Sequence, residues 1–217
     1  YSMMGTTEWI MTNRDINYKE YPKLAKTFYP SEFYADAWVK AIKAAGAKYI
    51  TITTRHHDGF SLFKTATSTY NSVDGTPFKR DIIKEMADAC QRNGIKLHLY
   101  YSHLDWGRED YPVGRTGTGT GRPKEKANWA SYYKFMNTQL TELLTNYGKV
   151  GAIWFDGWWD HDSDAKPFDW QLEEQYAMIH KLQPQCLIGN NHHQTPFAGE
   201  DIQIFERDLP GENKAGL

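Results

Sequence analysis

The chain has 217 residues, of which 40% are hydrophobic and 24% are charged, a composition typical of one globular domain with a sizeable apolar core. A net charge of -2 with dispersed basic residues gives no reason to expect nucleic acid as a partner, and no apolar run approaches the length that crosses a membrane. Cys90 and Cys186 lie far apart in apolar contexts, which predicts two buried free thiols and leaves a disulfide as the alternative.

Hydrophobic periodicity divides most of the chain into alternating helices and strands, after residues 1–30, which lack a clear period. Four amphipathic segments are predicted to be helices: residues 31–46, 82–94, 129–148 and 172–183. Ser31 is the predicted N-cap of the first helix. Apolar and β-branched runs predict five strands: residues 48–54, residues 95–102, a run that ends at Asp156, residues 186–190 and residues 201–206.

The segment 114–121 reads Gly-Arg-Thr-Gly-Thr-Gly-Thr-Gly, which could be mistaken for a phosphate-binding loop. It lacks the Gly-Lys-Ser/Thr ending of such loops, and it does not connect a strand directly to a helix. We therefore predict a flexible surface loop at this position.

The alternation of helices and strands predicts a parallel α/β fold. Because strand interiors are apolar and strand ends are polar, the pattern favours a (β/α)8-like barrel of the TIM type. A doubly wound open sheet is the alternative, although no Gly-x-Gly-x-x-Gly follows any predicted strand, which disfavours its dinucleotide-binding version. About a dozen residues separate the last two predicted strands, which leaves little room for a helix between them.

The stretch 152–159, Ala-Ile-Trp-Phe-Asp-Gly-Trp-Trp, places Asp156 at the carboxyl end of a predicted strand among aromatic residues. Asp-Gly is a common turn dipeptide, so a purely structural turn is one interpretation. The aromatic neighbours favour a functional carboxylate, because flat rings are suited to stacking on a sugar.

Each predicted strand ends in polar or aromatic residues, which a barrel would bring to one mouth. These residues are His56, His57, Tyr100, Trp154, Asp156, Asn190, Asn191 and Glu206. Two carboxylates at the ends of different strands suit the cleavage of a glycosidic bond, since one attacks or stabilises the anomeric carbon while the other donates a proton to the leaving oxygen.

The adjacent His56 and His57 raise metal binding as another interpretation. Neighbouring residues in a strand point to opposite faces, so the two rings would not both bind one ion without a kink, and no third ligand follows at a recognised spacing. We predict that the pair hydrogen-bonds to a ligand and that neither a metal nor another cofactor is bound. A metal-dependent hydrolase that uses either histidine stays open as an alternative.

Several longer motifs run over essentially the whole chain: Glu8-Trp9, Thr54-Arg55-His56-His57-Asp58-Gly59-Phe60, Lys79-Arg80-Asp81, Leu99-Tyr100-Tyr101-Ser102, Leu104-Asp105-Trp106, Trp154-Phe155-Asp156-Gly157 and Phe205-Glu206-Arg207-Asp208-Leu209-Pro210-Gly211. In this order the motifs resemble those of glycoside hydrolase family 29, the α-L-fucosidases. The His-His-Asp-Gly-Phe and Trp-Phe-Asp-Gly blocks are the most specific of them.

The resemblance implies a retaining, exo-acting enzyme that removes terminal α-L-fucose from fucosylated glycans or oligosaccharides. By motif match Asp156 would be the nucleophile and Glu206 the general acid/base. Family members often carry an arginine just after the strand that ends at Asn190, where this chain has Asn191-His192-His193. We place His192 in the fucose pocket together with the residues that match pocket positions of the family: Glu8, Trp9, His56, His57, Tyr100 and Trp154.

The resemblance also implies that residues 1–217 are a single segment of a catalytic domain. The family's first barrel strand is expected before Tyr1, and its last strands and a C-terminal β-sandwich are expected after Leu217. The chain begins without Met and shows no signal peptide, so the sequence leaves the compartment open; the resemblance implies a secreted, periplasmic or lysosomal protein. A non-catalytic sugar-binding barrel is the alternative function, and a separation of about 5 to 5.5 Å between the two carboxylates would favour the retaining enzyme.

Overall fold

Five parallel strands form one sheet in the computed structural model, which describes residue 5 and residues 7–206. The strands are β1 (Tyr49–Arg55), β2 (Lys96–Ser102), β3 (Val150–Asp156), β4 (Leu187–Asn190) and β5 (Ile202–Gln203). The α-helices are α1 (Ile10–Asn13), α2 (Ala35–Ala44), α3 (Ile82–Asn93), α4 (Trp129–Asn146) and α5 (Leu172–Leu182). Short 3-10 helices span Tyr21–Thr27, Thr118–Thr120, Lys124–Lys126 and Trp158–His161.

The order of the strands in the sheet is the same as their order in the chain, β1-β2-β3-β4-β5. Every adjacent pair is parallel. A doubly wound sheet reverses its strand order at a switch point, and the described strands contain no such reversal. The predicted parallel α/β fold is therefore confirmed, while closure of the sheet into a barrel stays a prediction.

Local hydrogen bonds explain where the helices begin. The Asp81 side chain accepts from the Lys84 N–H at the start of α3 (2.8 Å), and the Asn128 side chain accepts from the Ser131 N–H at the start of α4 (3.1 Å). The predicted cap at Ser31 is wrong, because residues 30–33 form a turn and α2 starts only at Ala35.

The two faces of the sheet differ in burial. Leu97, Leu99 and Tyr101 of β2 point toward the helices and are buried. On the opposite face Tyr49, Leu187 and Ile202 are 56%, 43% and 37% exposed, and they line an open groove of about 1070 Å³. A closed barrel would cover such a face with the side chains of its other strands.

The cysteine prediction is confirmed, since Cys90 and Cys186 are both buried free thiols. Burial raises the pKa of the Cys90 thiol to about 11 and that of the Cys186 thiol to about 12, which keeps both protonated at neutral pH. Among the described residues, no helix combines the length and apolarity needed to cross a membrane.

The strand predicted over residues 201–206 is much shorter than expected. The Asp201 backbone N–H donates to the Ile188 carbonyl (2.8 Å), and the Asp201 carboxylate accepts from the Ile188 N–H (2.9 Å). This side-chain bond takes the place of a backbone pair before Ile202. β5 ends at Gln203, which pairs with the last residue of β4, and Glu206 lies in the segment that follows.

The glycine-rich segment is partly exposed, as the sequence predicted, but it is also bonded to a distant part of the chain. Thr120 is fully buried, its carbonyl accepts from the Tyr18 N–H (2.9 Å), and the Gly117 N–H donates to Thr12 Oγ1 (2.9 Å). These partners lie about a hundred residues earlier in the chain, so composition alone could not reveal them.

Candidate active site

Asp156 is the last residue of β3, and the turn that follows it depends on glycine. Gly157 has φ 101°, in the left-handed region, and a Cβ there would lie 3.0 Å from the Leu104 backbone nitrogen. The turn directs the Gly157 N–H to Asp156 Oδ1 at 2.8 Å. The Asp-Gly pair is therefore both a turn and the support of a carboxylate at the carboxyl end of the sheet.

Hydrogen-bond donors surround the Asp156 carboxylate unevenly. Oδ2 accepts one strong hydrogen bond, from the Tyr100 hydroxyl at 2.6 Å. Oδ1 accepts three, from Gly157 N (2.8 Å), Trp159 Nε1 (2.9 Å) and Asn191 Nδ2 (3.2 Å). A carboxylate has about four lone-pair sites over its two oxygens, so Oδ2 keeps the greater capacity to form a further bond.

The neighbours of His57 determine which of its ring nitrogens carries the proton. Ser102 Oγ donates to the Leu104 carbonyl (2.7 Å), so it must accept from His57 Nδ1 (2.8 Å). Burial, followed by the charge of Arg55, lowers the pKa of His57 to about 3, and the ring is neutral at pH 7. Nε2 therefore presents a lone pair 3.5 Å from Asp156 Oδ2. A hydrogen-bond donor or a cation placed between these two acceptors would satisfy both.

The structure brings His56 to the same side as His57, contrary to the expectation that neighbouring rings would diverge. The register of β1 shifts between Thr53 and Arg55, both histidines lie in the turn after the strand, and their ring centroids are 4.0 Å apart. Burial and then the proximity of His57 hold the pKa of His56 well below its usual value. Ligand atoms of His56, His57 and Asp156 lie within 4.8 Å of one another, a donor set that suits zinc.

Aromatic rings line the site beside these groups. Trp9 stacks on Trp159 with centroids 5.3 Å apart and meets the edge of His57 at 5.7 Å. Trp154 is half-buried, and its buried Nε1 has no hydrogen-bond partner within residues 5 and 7–206. Glu8 is exposed and accepts a hydrogen bond from Thr7 Oγ1 at 3.3 Å. The structure thus places Trp9 against His57 and Trp154 beside Tyr100, and it bonds Glu8 to its neighbour in the chain, Thr7.

Glu206 is exposed, and it is joined to Asp156 through one side chain. Asn191 Nδ2 donates to Glu206 Oε2 at 2.8 Å and to Asp156 Oδ1 at 3.2 Å. Asp156 Oδ1 and Glu206 Oε2 are therefore at most about 6 Å apart, close enough for both carboxylates to act on one glycosidic bond. The rest of the motif, residues 207–211, lies outside the described residues.

His192 lies in a buried network to one side of these residues. Its Nδ1 accepts from the Gln194 N–H (2.9 Å), so Nε2 carries the proton and donates to the buried Glu200 carboxylate (2.9 Å). Glu200 also accepts from the Tyr176 hydroxyl (2.7 Å). Because both ring nitrogens of His192 are engaged, this arrangement leaves them no direct bond to offer a sugar.

Three residues with contacts in the site had no assigned role in the sequence prediction: Ser102, Trp159 and Asn191. Ser102 ends the motif that contains Tyr100, and Trp159 ends the stretch that contains Asp156. Their positions in the sequence could therefore have indicated that both lie near the site. Asn191 was one polar residue at a strand end, and nothing in the sequence indicated that its amide would reach two carboxylates.

Comparison with known proteins identifies the family. Residues 1–216 match the model of the alpha-L-fucosidase family, and the chain belongs to that family. It is 34% identical over 164 residues to putative alpha-L-fucosidase 1 of Oryza sativa subsp. japonica, a match that covers 74% of this chain and 28% of that protein. It is 30% identical over 179 residues to alpha-L-fucosidase 1 of Arabidopsis thaliana, covering 81% of this chain and 31% of that protein. The chain thus spans about three tenths of the length of these relatives.

Solved structures give the same family. Alpha-L-fucosidase isoenzyme 1 from Paenibacillus thiaminolyticus matches with a TM-score of 0.75 and 38% identity, over 84% of this chain and 44% of that one. The alpha-L-fucosidase AlfC from Lactobacillus casei with alpha-L-fucose product matches with a TM-score of 0.74 and 33% identity, over 84% and 58% of the two chains. AlfC in complex with Fuca(1,6)GlcNAc matches with a TM-score of 0.80 and 30% identity, over 94% and 65%.

Proposed function

We propose that the protein to which this chain belongs is a retaining exo-α-L-fucosidase, and that residues 1–217 are a segment of its (β/α)8 catalytic barrel. The observation that carries the proposal is the Asn191 amide, which donates to both carboxylates and so keeps Asp156 Oδ1 and Glu206 Oε2 at most about 6 Å apart. Retaining glycosidases have carboxyl groups about 5 to 5.5 Å apart, because one of the pair attacks the sugar directly. The sequential order of the five strands supports the barrel.

In the first step Asp156 Oδ2 forms a bond to the anomeric carbon while the bond to the leaving oxygen breaks. The leaving oxygen takes its proton from Glu206, and a covalent glycosyl ester remains on Asp156. Oδ2 is the attacking atom because, among the residues that the structure describes, three donors engage Oδ1 and one, the Tyr100 hydroxyl, bonds to Oδ2. These donors hold the carboxylate in one orientation before the substrate arrives.

In the second step Glu206 acts as the base. It removes a proton from water, the water oxygen bonds to the anomeric carbon, and the ester bond to Asp156 breaks. Two successive displacements return the anomeric carbon to its original configuration. The exposure of Glu206 suits this role, since both the leaving group and the incoming water must reach it from solvent.

The sugar would be held by groups with fixed hydrogen-bond roles. His57 Nε2 accepts from a sugar hydroxyl, since its Nδ1 proton is committed to Ser102. Trp154 Nε1 donates to a sugar oxygen, and Trp9 with Trp159 supplies an apolar surface. The complex of the similar AlfC with Fuca(1,6)GlcNAc supports fucosylated glycans as the substrate class.

The test is hydrolysis of an aryl α-L-fucoside by the full-length protein, followed by NMR of the first-formed sugar. The proposal expects α-L-fucose to appear first and β-L-fucose to follow by mutarotation. The matched control is the aryl α-L-galactoside, which differs by one hydroxyl at the position that fucose lacks. Initial release of β-L-fucose would contradict the retaining mechanism, and binding of fucose without hydrolysis would favour a non-catalytic sugar-binding barrel.

A metal-dependent hydrolase is the second candidate, because His56, His57 and Asp156 are spaced closely enough to share an ion. Dialysis against a chelator separates the two candidates. The fucosidase proposal expects activity to be unchanged after dialysis, while loss of activity that zinc restores would favour the metal enzyme.

A further inference from the structure

Asn191 is held firmly at the position where it meets the two carboxylates. It directly follows β4 and is 1% exposed. Its backbone N–H donates to the carbonyl of Phe155 (2.9 Å), the residue before Asp156, so its main chain is fixed to the end of β3. An amide nitrogen carries two protons, which are enough for one bond to Asp156 Oδ1 (3.2 Å) and one to Glu206 Oε2 (2.8 Å).

The orientation of the amide is determined as well. Asn191 Oδ1 accepts from His193 Nε2 at 3.1 Å, which turns Nδ2 toward the carboxylates. The flipped amide would place Oδ1 against Asp156 and Glu206, with three acceptor groups in contact and no proton between them. His193 has φ 58°, a left-handed conformation that is strained for a residue with a Cβ. The residue that orients this amide therefore has a strained backbone conformation.

The two carboxylates meet Asn191 in different settings. Asp156 is part of β3 and has further donors in Tyr100, Gly157 and Trp159. Glu206 follows a strand of only two residues, and its side chain is exposed. Loss of the Asn191 amide would therefore leave Asp156 with three donors while it breaks the bond that ties Glu206 to the same amide.

We propose that Asn191 is a positioning residue that sets the distance and orientation of Glu206 relative to Asp156. The proposal rests on the proposed fucosidase function. The role of Asn191 is to donate a hydrogen bond to each carboxylate, which two ionised carboxylates cannot do for each other. The role can be distinguished from a general loss of stability. A misplaced general acid slows substrates in proportion to the basicity of their leaving group. A loss of general stability would slow every substrate alike.

The experiment compares Asn191→Leu with the wild type in the full-length protein, using two α-L-fucosides. For a disaccharide with a poor leaving group, kcat/KM is expected to fall on the order of 10- to 100-fold. For the dinitrophenyl fucoside, whose leaving group needs no proton, the expected loss in the first step is about 3-fold or less. Asn191→Asp keeps the shape but adds a third carboxylate, so it should lose at least as much as Asn191→Leu on the disaccharide.

The matched control is Asn190→Leu. Asn190 is the adjacent residue, of the same type and also buried, but its Nδ2 donates to the Tyr176 hydroxyl (2.9 Å) on the helix side of the sheet. It should lower the melting temperature and affect the two substrates equally. In a Glu206→Ala background, Asn191→Leu should cost less than about 3-fold on either substrate, because the group that it positions is gone.

Equal losses on the two substrates, or the same loss with and without Glu206, would overturn the proposal. An additional measurement does not depend on activity: crystal structures of the wild type and of Asn191→Leu. The variant is expected to hold the two carboxylates farther apart than the limit of about 6 Å in the wild type. An unchanged separation would refute the role of Asn191 even in an active enzyme, whereas an inactive wild type with a changed separation would refute only the fucosidase function.

Discussion

The two proposed catalytic carboxylates are held by different kinds of structure. Asp156 ends a seven-residue strand that pairs on both sides, and donors from three separate segments engage its oxygens. Glu206 follows a strand of two residues, and Asn191 joins its exposed side chain to Asp156. The comparison indicates that the position of the proposed nucleophile is built into the sheet, while the proposed acid/base lies in a segment after the last short strand and is bonded to the Asn191 side chain.

A buried ion pair also stabilises the part of the site that is built on β1, β2 and β3, which we call the β1–β3 side. Arg55, at the end of β1, donates to Asp105 Oδ2 (2.8 Å) and to the Ser102 carbonyl (2.6 Å), and both side chains are almost fully buried. Asp105 Oδ1 also accepts from the backbone of Gly107 (2.7 Å) and of Arg108 (3.0 Å). These bonds fix the segment after β2 and the last residue of that strand, Ser102, which orients the His57 ring.

The largest effect is expected from Asp156→Ala. Loss of the nucleophile should lower kcat on the order of 10⁵-fold, as removal of a covalent nucleophile does elsewhere, while fucose binding stays measurable by calorimetry. Azide should partly restore turnover and give a fucosyl azide of inverted configuration, because it attacks in place of the missing carboxylate. Full activity in this variant would show that the rigidly held carboxylate is not the nucleophile.

Glu206→Ala should have a smaller effect that depends on the substrate. We expect a loss of about 10²- to 10⁴-fold on natural disaccharides, and little loss in the first step for a dinitrophenyl fucoside. Azide should accelerate this variant and give a fucosyl azide of retained configuration, since it attacks the ester on Asp156. Equal losses on both substrates would indicate that Glu206 is structural, and the comparison between the two carboxylates would fail.

Asp105→Ala tests the rigidity of the β1–β3 side through stability. Removal of this carboxylate leaves the Arg55 guanidinium buried without its counter-charge, so the free energy of unfolding should fall by about 3 to 5 kcal/mol in chemical denaturation. The control is Glu20→Ala, which removes an ion pair to Lys23 in which both side chains are about 60% exposed. Its effect should stay within about 1 kcal/mol. Similar effects for the two variants would contradict a rigid base beneath the site.

The sequence predicted the parts of the fold that depend on local pattern. Apolar periodicity and the glycine stop at Gly94 predicted α3 within one residue of its observed bounds, and the polar strand ends predicted that His57, Tyr100 and Asp156 would meet. The missed features depend on contacts between distant segments. The register shift in β1 that brings the two histidines together is one example, and the Asp201 carboxylate that pairs with Ile188 is another.

The smallest expected effect concerns the pH dependence of stability on the β1–β3 side. Burial is the main cause that lowers the pKa of His57 to about 3 and that of His103 to about 4. In the unfolded chain a histidine has a pKa of about 6.5, so between that pH and its folded-state pKa the unfolded state binds more protons. The contribution of these histidines to the free energy of unfolding is therefore fully present above about pH 6.5. It falls as the pH is lowered, by up to about 1.4 kcal/mol per pH unit for each histidine.

His103→Gln isolates one of these two contributions. His103 bonds to Gln175 Oε1 (2.6 Å) and is not a proposed substrate contact, and glutamine can keep a donor at this position. Denaturation between pH 6.5 and 5 should show a shallower slope than in the wild type, because one of the buried histidines with a lowered pKa is gone. If His103→Gln leaves the slope unchanged, His103 does not gain a proton on unfolding in this pH range, and burial does not hold its pKa down.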